Sequence, residues 1–453
     1  MDNIRVAVWG FGAMGGGIAK VLLEKKGVEI TGVCDIHPAR VGKSIFELLG
    51  VERGERRDVV VCDDINRVAA RGAADICVIA TDSFTKKVFP KIKLVVENGI
   101  NVICTAEEMS YPKANQPELA EEMDKLAKAN GVSILGTGIN PGLMMDLLAV
   151  CLSGCMTDVQ SVQCRRVNSL SPFGPVVMEE QGVGLSIKAF EQGVEDGSLA
   201  GHVGFAESVG MIAEALGWKV DKFEQQMKPI VTTVDRKSPY GFAKAGDVAG
   251  VNMTGQGYVN GELKIDMIHP QQIEPEMEGT HTGDYIVLKG TPNVSMAINP
   301  EVDGGIGTIA MMVNMIPHVI NARPGLKTML DLPVPRAIRN QYMPEDRKDR
   351  REKMAKKGDW VLTHNIILTP QQRAPQVPED THGVPLEMWV KGHLTADAEI
   401  GDEVEIITRT GRHVRGKLLE VNPRYTHDYG EFVPELLEIG DTVRGILFGG
   451  DDK

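Results

Sequence analysis

The chain has 453 residues, which at roughly 100 to 200 residues per domain predicts two to four domains. Its composition, 42% hydrophobic and 25% charged, is that of a folded protein and not of a disordered one. The net charge of -13 disfavours binding to nucleic acid or to anionic membrane surfaces, because both carry negative charge. No apolar run is long enough to span a membrane and no cleavable leader is evident, so we expect a cytoplasmic protein.

The seven cysteines all lie within the first 164 residues, mostly inside apolar, strand-like runs. We interpret them as reduced, buried residues. Cys151 and Cys155 share one helical face, but no histidine follows at ligand spacing. The sequence therefore predicts no metal site.

The first 150 residues alternate short Val- and Ile-rich runs with amphipathic stretches, which is typical of an α/β domain. We predict a Rossmann-type parallel sheet with crossover helices over residues 1–150, and a returning segment over residues 307–342 that begins with the helix Gly307–Ile320. The predicted strands are Ile4–Trp9, Val28–Cys34, Val59–Cys62, Ala74–Ala80, Asn101–Cys104 and Ser133–Leu135.

Residues 151–306 have longer strand candidates with helices between them, which predicts a second α+β domain with an open mixed sheet for substrate binding and dimerisation. Most residues from 343 to 357 are charged, which indicates a solvated helix or linker. Residues 358–453 form short alternating runs separated by Gly and Asp, and these predict a small all-β barrel or roll. The last of these predicted strands is Thr442–Phe448.

A G-x-G-x-x-G motif directly follows the first predicted strand and opens a helix, the context in which this motif binds a dinucleotide. Its first glycine permits a tight turn, its second lets backbone N–H groups approach a pyrophosphate, and its third lets the helix pack on the strand. The residues assigned to cofactor binding here are Gly10, Phe11, Gly12, Ala13, Met14 and Gly15.

Asp35 ends the second predicted strand, where a carboxylate is placed to accept both ribose hydroxyls of NAD. Arg40 lies nearby and is able to turn toward the 2′-phosphate of NADP, which Asp35 would repel. We therefore expect NAD and leave NADP open.

Ligands of open α/β sheets lie over the carboxyl ends of the strands. Residues at these ends are therefore assigned to the cofactor, and they are Ala80, Thr81, Ser83 and Thr105. Asp82 and Ser83 also fit a helix cap. Glu107 follows Thr105 and is a candidate general base, with a capping or solvated carboxylate as the alternative.

A glycine-rich loop follows the sixth predicted strand, and its amides suit a substrate carboxylate. We assign Asn140, Pro141, Gly142 and the nearby Asp146 to substrate binding. His202 and Glu207 bring an imidazole and a carboxylate to the start of another helix and are further catalytic candidates. A buried capping arrangement is the alternative for this pair.

The first 342 residues resemble the 2,4-diaminopentanoate dehydrogenase family, whose N-terminal half is similar to dihydrodipicolinate reductase. The resemblance lies in Gly10–Gly15, Ala80–Phe84, Gly136–Asp146 and Ala322–Thr328. The paired-histidine and lysine signature of the reductase group is absent. From residue 354 onward the chain resembles the alpha subunit of 2-amino-4-oxopentanoate thiolase, in the segments Lys356–Trp360, Gln372–Pro375, Val384–Gly392 and Asn422–Asp428.

The resemblance implies a bifunctional fusion of two enzymes that act consecutively in ornithine degradation. It implies hydride transfer from C4 of 2,4-diaminopentanoate to NAD or NADP, followed by hydrolysis of the imine to release ammonia. The reacting C4 amine of the substrate then needs a base, for which Glu107 and His202 are the candidates. The α-ammonium group at the other end of the substrate suits Asp146 or Glu207. Pyridoxal phosphate (PLP) is expected only on a separate beta subunit, because no lysine after residue 354 lies in a recognisable phosphate-binding setting.

Two alternatives stay open at this point. One is an NAD(P)-dependent dehydrogenase of another small amino acid or oxo acid, and the other is a cofactor-bound scaffold that recruits a PLP thiolase subunit. A homodimer is expected, because this superfamily commonly pairs its open sheets.

Overall fold

The Val- and Ile-rich runs of the N-terminal part form strands, and the amphipathic stretches between them form helices. The computed structural model describes residues 3–338, 342, 354–374, 376 and 383–423. The first elements are β1 Ile4–Trp9, α1 Ala13–Leu23, β2 Val28–Cys34, α2 Ile45–Leu49, α3 Ile65–Val68, β3 Ile76–Ile79, α4 Thr85–Glu97, β4 Asn101–Cys104, α5 Pro117–Ala129, β5 Ser133–Gly136 and α6 Leu147–Ser153. A 3-10 turn, Glu107–Ser110, separates β4 from α5.

Longer strands follow α6, as the change in pattern predicts. They are β6 Asp158–Ser169, β7 Lys222–Val231, β8 Arg236–Lys237, β9 Phe242–Ala243, β10 Val248–Val259, β11 Glu262–Gln272, β12 Gly283–Thr291 and β13 Val294–Ile298. The helices among them are α7 Pro175–Glu180, α8 Ile187–Glu195 and α9 Phe205–Leu216. The chain then forms α10 Gly304–Asn321 and β14 Gly325–Lys327.

The first sheet is parallel throughout, in the order β14-β5-β4-β3-β1-β2. Alternate residues of its strands point to opposite faces. Val6 and Val8 of β1 pack with α1 and α10 on one face, whereas Ala7 packs with α4 and α5 on the other. The sheet is therefore doubly wound, as predicted.

One predicted strand of this sheet is wrong. Val59–Cys62 forms only isolated bridges, Cys62 with Cys34 and Val60 with Ser44. The sixth strand is instead β14, which follows the returning helix and pairs with β5. The returning helix spans Gly304–Asn321, which confirms the helix predicted at Gly307–Ile320.

The second sheet is mixed, in the order β13-β12-β6-β11-β10-β7. Helices α6, α8 and α9 cover one face of it and bury apolar residues of β6, β10, β11 and β12. Within this sheet β6 and β11 are parallel neighbours, although about a hundred residues separate them in the chain. This pairing forms part of the functional site.

The chain divides into two units, Met1–Lys348 and Asp349–Lys453. The described part of the second unit contains β15 Met354–Ala355, β16 Trp360–Leu368, β17 Leu386–Leu394, β18 Ala398–Glu399, β19 Glu403–Ile407 and β20 His413–Val421. Strands β16, β17, β19 and β20 form a closed barrel, which confirms the predicted fold class. The predicted strand Thr442–Phe448 lies outside the described residues.

The end of the predicted charged linker belongs to the barrel unit. Strand β15 pairs with β18, and Ala355 is fully buried in the barrel core. The β-rich unit therefore begins by residue 354 and not at residue 358.

The cysteine prediction is correct for four residues and wrong for two. Cys34, Cys77, Cys104 and Cys164 are buried, Cys62 is half-buried, and Cys151 and Cys155 are exposed; none forms a disulfide. The described residues contain no group of ligands suited to a metal ion. No described helix is long and apolar enough to cross a bilayer.

Candidate active site

The glycine motif shapes the turn between β1 and α1. Gly10 has a φ of +93°, and a Cβ there would lie 2.4 Å from the Ala80 carbonyl oxygen. A Cβ on Gly15 would lie 1.8 Å from the Gly10 carbonyl oxygen. Packing alone therefore requires glycine at both positions. Ala80 contributes to the site through its backbone carbonyl, which lies against Gly10.

Gly12 differs from both, because nothing lies within 4 Å of the position its Cβ would take. Gly12 is the N-cap of α1, where no side chain caps the helix and no acidic residue occupies the first turn. The backbone N–H groups of this turn thus face open space at the positive end of the helix. This arrangement fits the diphosphate of a dinucleotide.

Asp35 ties the end of β2 to the glycine loop. Its carboxylate accepts hydrogen bonds from Phe11 N at 2.6 Å and His37 N at 2.7 Å, and it pairs with Arg40 Nη1 at 3.1 Å. Burial works to raise the pKa of Asp35, but the two N–H groups and the Arg40 charge outweigh it and hold the pKa below its usual value. Asp35 is therefore a firmly ionised group beside the loop.

The hydroxyls predicted to meet the cofactor divide into two groups. Ser83 and Thr105 line a cavity of this unit, next to Ala13 and Met14. Thr81 does not, because its hydroxyl donates to Asp82 Oδ2 at 2.7 Å and accepts from Lys91 Nζ at 2.7 Å.

The cavity has a volume of about 400 Å³. One wall comes from the carboxyl ends of the parallel strands and the loops that follow them. The other wall comes from β6, β11 and the segments around α7 and residue 202. A small molecule held here would lie between the cofactor loop and the mixed sheet.

Glu107 lines the cavity, as does the more exposed Glu180. Burial raises the pKa of its carboxyl, and the negative charges of Glu180 and Glu108 raise it further. Hydrogen bonds from its own N–H and from the Ser83 hydroxyl oppose this rise without cancelling it. A carboxylate whose pKa is raised toward neutrality is a stronger base than an exposed one.

His202 also lines the cavity, but its environment disfavours a role as base. Its Nε2 lies 3.1 Å from the Asn140 amide nitrogen, which donates to it. Burial and the Arg166 charge lower the pKa of His202 to about 4. His202 is thus a neutral imidazole that binds Asn140, which itself lines the cavity.

Two other predicted residues lie outside the cavity lining. Asp146 is fully buried and accepts from Gly142 N at 2.8 Å, Leu147 N at 2.6 Å and the Ser208 hydroxyl at 2.9 Å. Burial raises the pKa of Asp146 despite these bonds. Its role is to hold the loop, and the Gly142 amide is not free for a substrate carboxylate. Pro141 packs against Gly204.

Glu207 is the second of these residues, and its side chain is only 1% exposed. Its Oε1 accepts a hydrogen bond from the Asn115 amide at 2.7 Å. Burial, aided by the charges of Glu108 and Glu107, raises the pKa of Glu207 to about 7. Glu207 does not line the cavity, so it is not part of the site.

Four polar residues on one face of the mixed sheet were missed by the sequence analysis. They line the cavity and are Arg166, Asn168, His269 and Gln271. In both strands they continue a face that is apolar under the helices: Val162 and Cys164 precede Arg166, and Ile265 and Met267 precede His269. The change from apolar to polar at alternate positions is the sequence signal that marks them.

Comparison with known proteins identifies the family of the first unit. Residues 143–348 match the 2,4-diaminopentanoate dehydrogenase C-terminal domain, and residues 4–137 match an oxidoreductase family with an NAD-binding Rossmann fold. A 2,4-diaminopentanoate dehydrogenase from Acetoanaerobium sticklandii is 60% identical over 343 residues, which cover 76% of this chain and 97% of that protein. The chain belongs to the 2,4-diaminopentanoate dehydrogenase family.

A solved structure supports the same fold for the first unit of this family member. The structure of amine dehydrogenase from Mycobacterium smegmatis superposes with a TM-score of 0.67 at 28% identity, over 75% of this chain and 99% of that chain. The site thus lies on a fold shared with a dehydrogenase of amines.

The second unit has relatives of its own. Residues 354–447 match the family described as AKP thiolase subunit OrtA. A 2-amino-4-ketopentanoate thiolase alpha subunit from Acetoanaerobium sticklandii is 68% identical over 98 residues, which cover 22% of this chain and 97% of that protein. The chain therefore joins a dehydrogenase of the first family to a region similar to a thiolase alpha subunit.

Proposed function

We propose that the first unit catalyses the NAD(P)-dependent oxidative deamination of 2,4-diaminopentanoate to 2-amino-4-oxopentanoate and ammonia. The observation that carries this proposal is the cavity that places Glu107 between the cofactor loop and a polar sheet face. The 60% identity to a 2,4-diaminopentanoate dehydrogenase supports the choice of substrate.

The residues present fit a bound dinucleotide, which supplies the hydride acceptor when it is bound. The first turn of α1 offers N–H groups to its diphosphate, and the Asp35 carboxylate lies where it would accept hydrogen bonds from the adenosine ribose hydroxyls. We propose a preference for NAD, because the ionised Asp35 repels a 2′-phosphate. Arg40 Nη1 pairs with Asp35 Oδ2 at 3.1 Å, and Arg40 would have to break this pair to reach a 2′-phosphate.

Glu107 acts as the general base in this proposal. An alkylammonium group has a pKa near 10, so the reacting amine must lose a proton before a hydride leaves its carbon. Glu107 accepts that proton, while the Ser83 hydroxyl holds the carboxylate in the cavity. Because Glu107 is half-buried, bulk water has limited access to its carboxylate and to the proton that it accepts.

A steady-state assay of the full chain tests the function. We expect formation of reduced cofactor with 2,4-diaminopentanoate and release of ammonia in equal amounts, with a higher kcat/KM for NAD than for NADP. A panel of other small amino acids and hydroxy or oxo acids serves as control. A higher kcat/KM for one of those, or no turnover of any, contradicts the proposal.

We propose that the second unit works as a thiolase alpha subunit with a separate beta subunit that carries PLP. A PLP enzyme needs a lysine inside a closed site. The described lysines of this unit offer none: Lys356, Lys357 and Lys417 are exposed and Lys391 is half-buried. The similarity to a thiolase alpha subunit supports the partner.

The remaining predictions about assembly and location stay proposals. The homodimer is tested by the molecular mass of the full chain in solution, with twice the chain mass of 49.2 kDa expected. The cytoplasmic location is tested by fractionation of the cells that make the protein.

A further inference from the structure

Three amide side chains of the cavity wall have polar atoms that lack hydrogen-bond partners. They are Asn168 Oδ1, Gln181 Oε1 and Gln271 Nε2, and no described residue pairs with them. The three residues are 6%, 5% and 5% exposed. Buried polar atoms in proteins are normally hydrogen-bonded, so an unpaired set in one cavity indicates a ligand that pairs with it.

The fold holds two of these amides side by side. Asn168 on β6 and Gln271 on β11 are register partners on adjacent parallel strands, and both side chains line the cavity. Gln181 follows the last turn of α7, where its backbone N–H is bonded to Val177 O at 3.0 Å. The amides are thus presented from regular elements and not from a free loop.

The positive charge of Arg166, beside Asn168 and Gln271, is already neutralised. Arg166 Nη1 pairs with Asp284 Oδ1 at 2.5 Å, with both side chains 3% exposed, and Arg166 Nη2 donates to Val302 O at 2.5 Å. His269 Nδ1 lies 2.8 Å from Arg166 O, and burial lowers the pKa of His269 well below its usual value. The sheet face with this ion pair therefore adds no net charge beside the two unpaired acceptors and the one unpaired donor, whereas the Glu180 carboxylate, next to Gln181, also lines the cavity.

We infer that Asn168, Gln181 and Gln271 bind the zwitterionic α-amino-acid end of the substrate. The two carbonyl oxygens accept from the ammonium group, and the Gln271 amide donates to the carboxylate. A zwitterion suits this wall, because the unpaired acceptors and the nearby Glu180 carboxylate favour its ammonium group while the unpaired Gln271 donor favours its carboxylate. The inference rests on the proposed function, in which the amine at the other end reacts beside Glu107.

Binding of an unreactive analogue tests the subsite separately from catalysis. 2-Aminopentanoate keeps the α-amino-acid end and lacks the C4 amine, so it binds without being oxidised at C4. Calorimetry on the full chain with NAD present should show its affinity reduced on the order of 10- to 100-fold in Asn168→Leu and in Gln271→Met, which remove hydrogen bonds to charged groups. Affinities equal to that of the wild type overturn the inference.

Asn252→Leu is the matched control. Asn252 Oδ1 is also buried without a partner among the described residues, but Asn252 does not line the cavity. This variant should bind 2-aminopentanoate as the wild type does. Circular dichroism of all variants checks that they fold.

Substrate analogues give a second test that needs no variant. 4-Aminopentanoate lacks the α-ammonium group and 1,3-diaminobutane lacks the carboxylate, while both keep the reacting amine. The wild type should oxidise each with a kcat/KM at least about 10-fold below that of 2,4-diaminopentanoate, because amides are left unpaired. Equal values for all three overturn the inference even if no variant folds.

The two proposals fail in different ways. If the wild type binds 2-aminopentanoate through the amides but does not oxidise 2,4-diaminopentanoate, the proposed function falls and the subsite stands. If it oxidises 2,4-diaminopentanoate and the variants bind the analogue unchanged, the subsite falls alone.

Discussion

Asp35 and Phe11 are joined by a hydrogen bond of 2.6 Å from the Phe11 N–H to the Asp35 carboxylate. The carboxylate thus has two tasks, because it positions the glycine loop and presents a negative charge where the adenosine ribose would lie. These tasks can be separated by substitution.

Asp35→Asn should reverse or flatten the cofactor preference. The amide oxygen of the new side chain still accepts from Phe11 N, but the charge that repels a 2′-phosphate is gone. The affinity for NAD should therefore fall, whereas the affinity for NADP should fall less or rise. Asp35→Ala should weaken both more, since it also releases the loop. Dissociation constants for both cofactors are the measurement, and equal losses of NAD and NADP in Asp35→Asn would remove the residue from the ribose site.

Gly12→Ala and Gly15→Ala should separate cofactor binding from stability. The Gly12 Cβ position is open, so Gly12→Ala should melt at the wild-type temperature but bind NAD at least about 10-fold more weakly, because the methyl group stands where the diphosphate approaches. A Gly15 methyl group would overlap the Gly10 carbonyl oxygen, so Gly15→Ala should lower the melting temperature. Normal NAD binding by Gly12→Ala would place the diphosphate elsewhere.

Glu107→Gln keeps the shape of the side chain and removes the proton acceptor. We expect kcat for 2,4-diaminopentanoate to fall about 10²- to 10⁴-fold with the affinity for NAD unchanged. Because burial raises the pKa of Glu107, the wild-type rate should also fall as the pH drops through that raised pKa.

Glu108→Gln is the control for this experiment. Glu108 accepts from Thr85 N at 2.7 Å at the start of α4, a bond that a glutamine oxygen also makes, and it does not line the cavity. At a pH where Glu107 is ionised, its kcat should stay near that of the wild type, because loss of the Glu108 charge lowers the pKa of Glu107 but does not remove the base. A near-normal rate in Glu107→Gln would contradict the assignment of Glu107 as the base.

The parts of the site that a local pattern encodes were predictable from sequence. The glycine loop and Asp35 follow fixed spacings after two strands, and both lie where predicted. Asn168 and Gln271 were not predictable in this way, because only the pairing of β6 with β11 makes them neighbours. Strand β14 was missed for a related reason: its three residues have little apolar pattern and are a strand only through pairing with β5.

Glu207→Gln should make the protein more stable at alkaline pH. The folded state raises the pKa of Glu207 from 4.5 to about 7, so it holds a proton that the unfolded chain has lost. The stability that the neutral Glu207 side chain contributes to the folded state is therefore fully present below about pH 4.5 and is lost as the pH rises through about 7. At about 1.4 kcal/mol per pKa unit the loss amounts to roughly 3 kcal/mol, which a glutamine avoids.

Melting temperatures at about pH 5 and about pH 8 measure this effect. Glu207→Gln should melt higher than the wild type at the alkaline pH and close to it at the acidic pH. Glu191→Gln, at an exposed position of α8, is the control and should follow the wild type at both. The same pH dependence in Glu207→Gln as in the wild type would show that Glu207 is not the titrating group.

A cut between Lys348 and Asp349 should yield two working parts. The two units divide at this bond, and the matches to the dehydrogenase and thiolase families end at residue 348 and begin at residue 354. Residues 1–348 contain every residue of the cavity, so this fragment should oxidise 2,4-diaminopentanoate with the kcat/KM of the full chain. A cut at residue 357 is a useful contrast, because it removes Ala355 from the barrel core and should destabilise the second fragment.

The second part of this prediction concerns the thiolase. Mixed with a PLP-containing beta subunit and coenzyme A, the full chain and residues 349–453 should both convert 2-amino-4-oxopentanoate to alanine and acetyl-CoA, and residues 1–348 should not. The reason is that a barrel whose described lysines are all at least partly exposed gains activity only by completing the site of another protein. Loss of dehydrogenase activity in residues 1–348 would mean that the units depend on each other for folding, and failure of the full chain to bind any such beta subunit would refute the thiolase assignment.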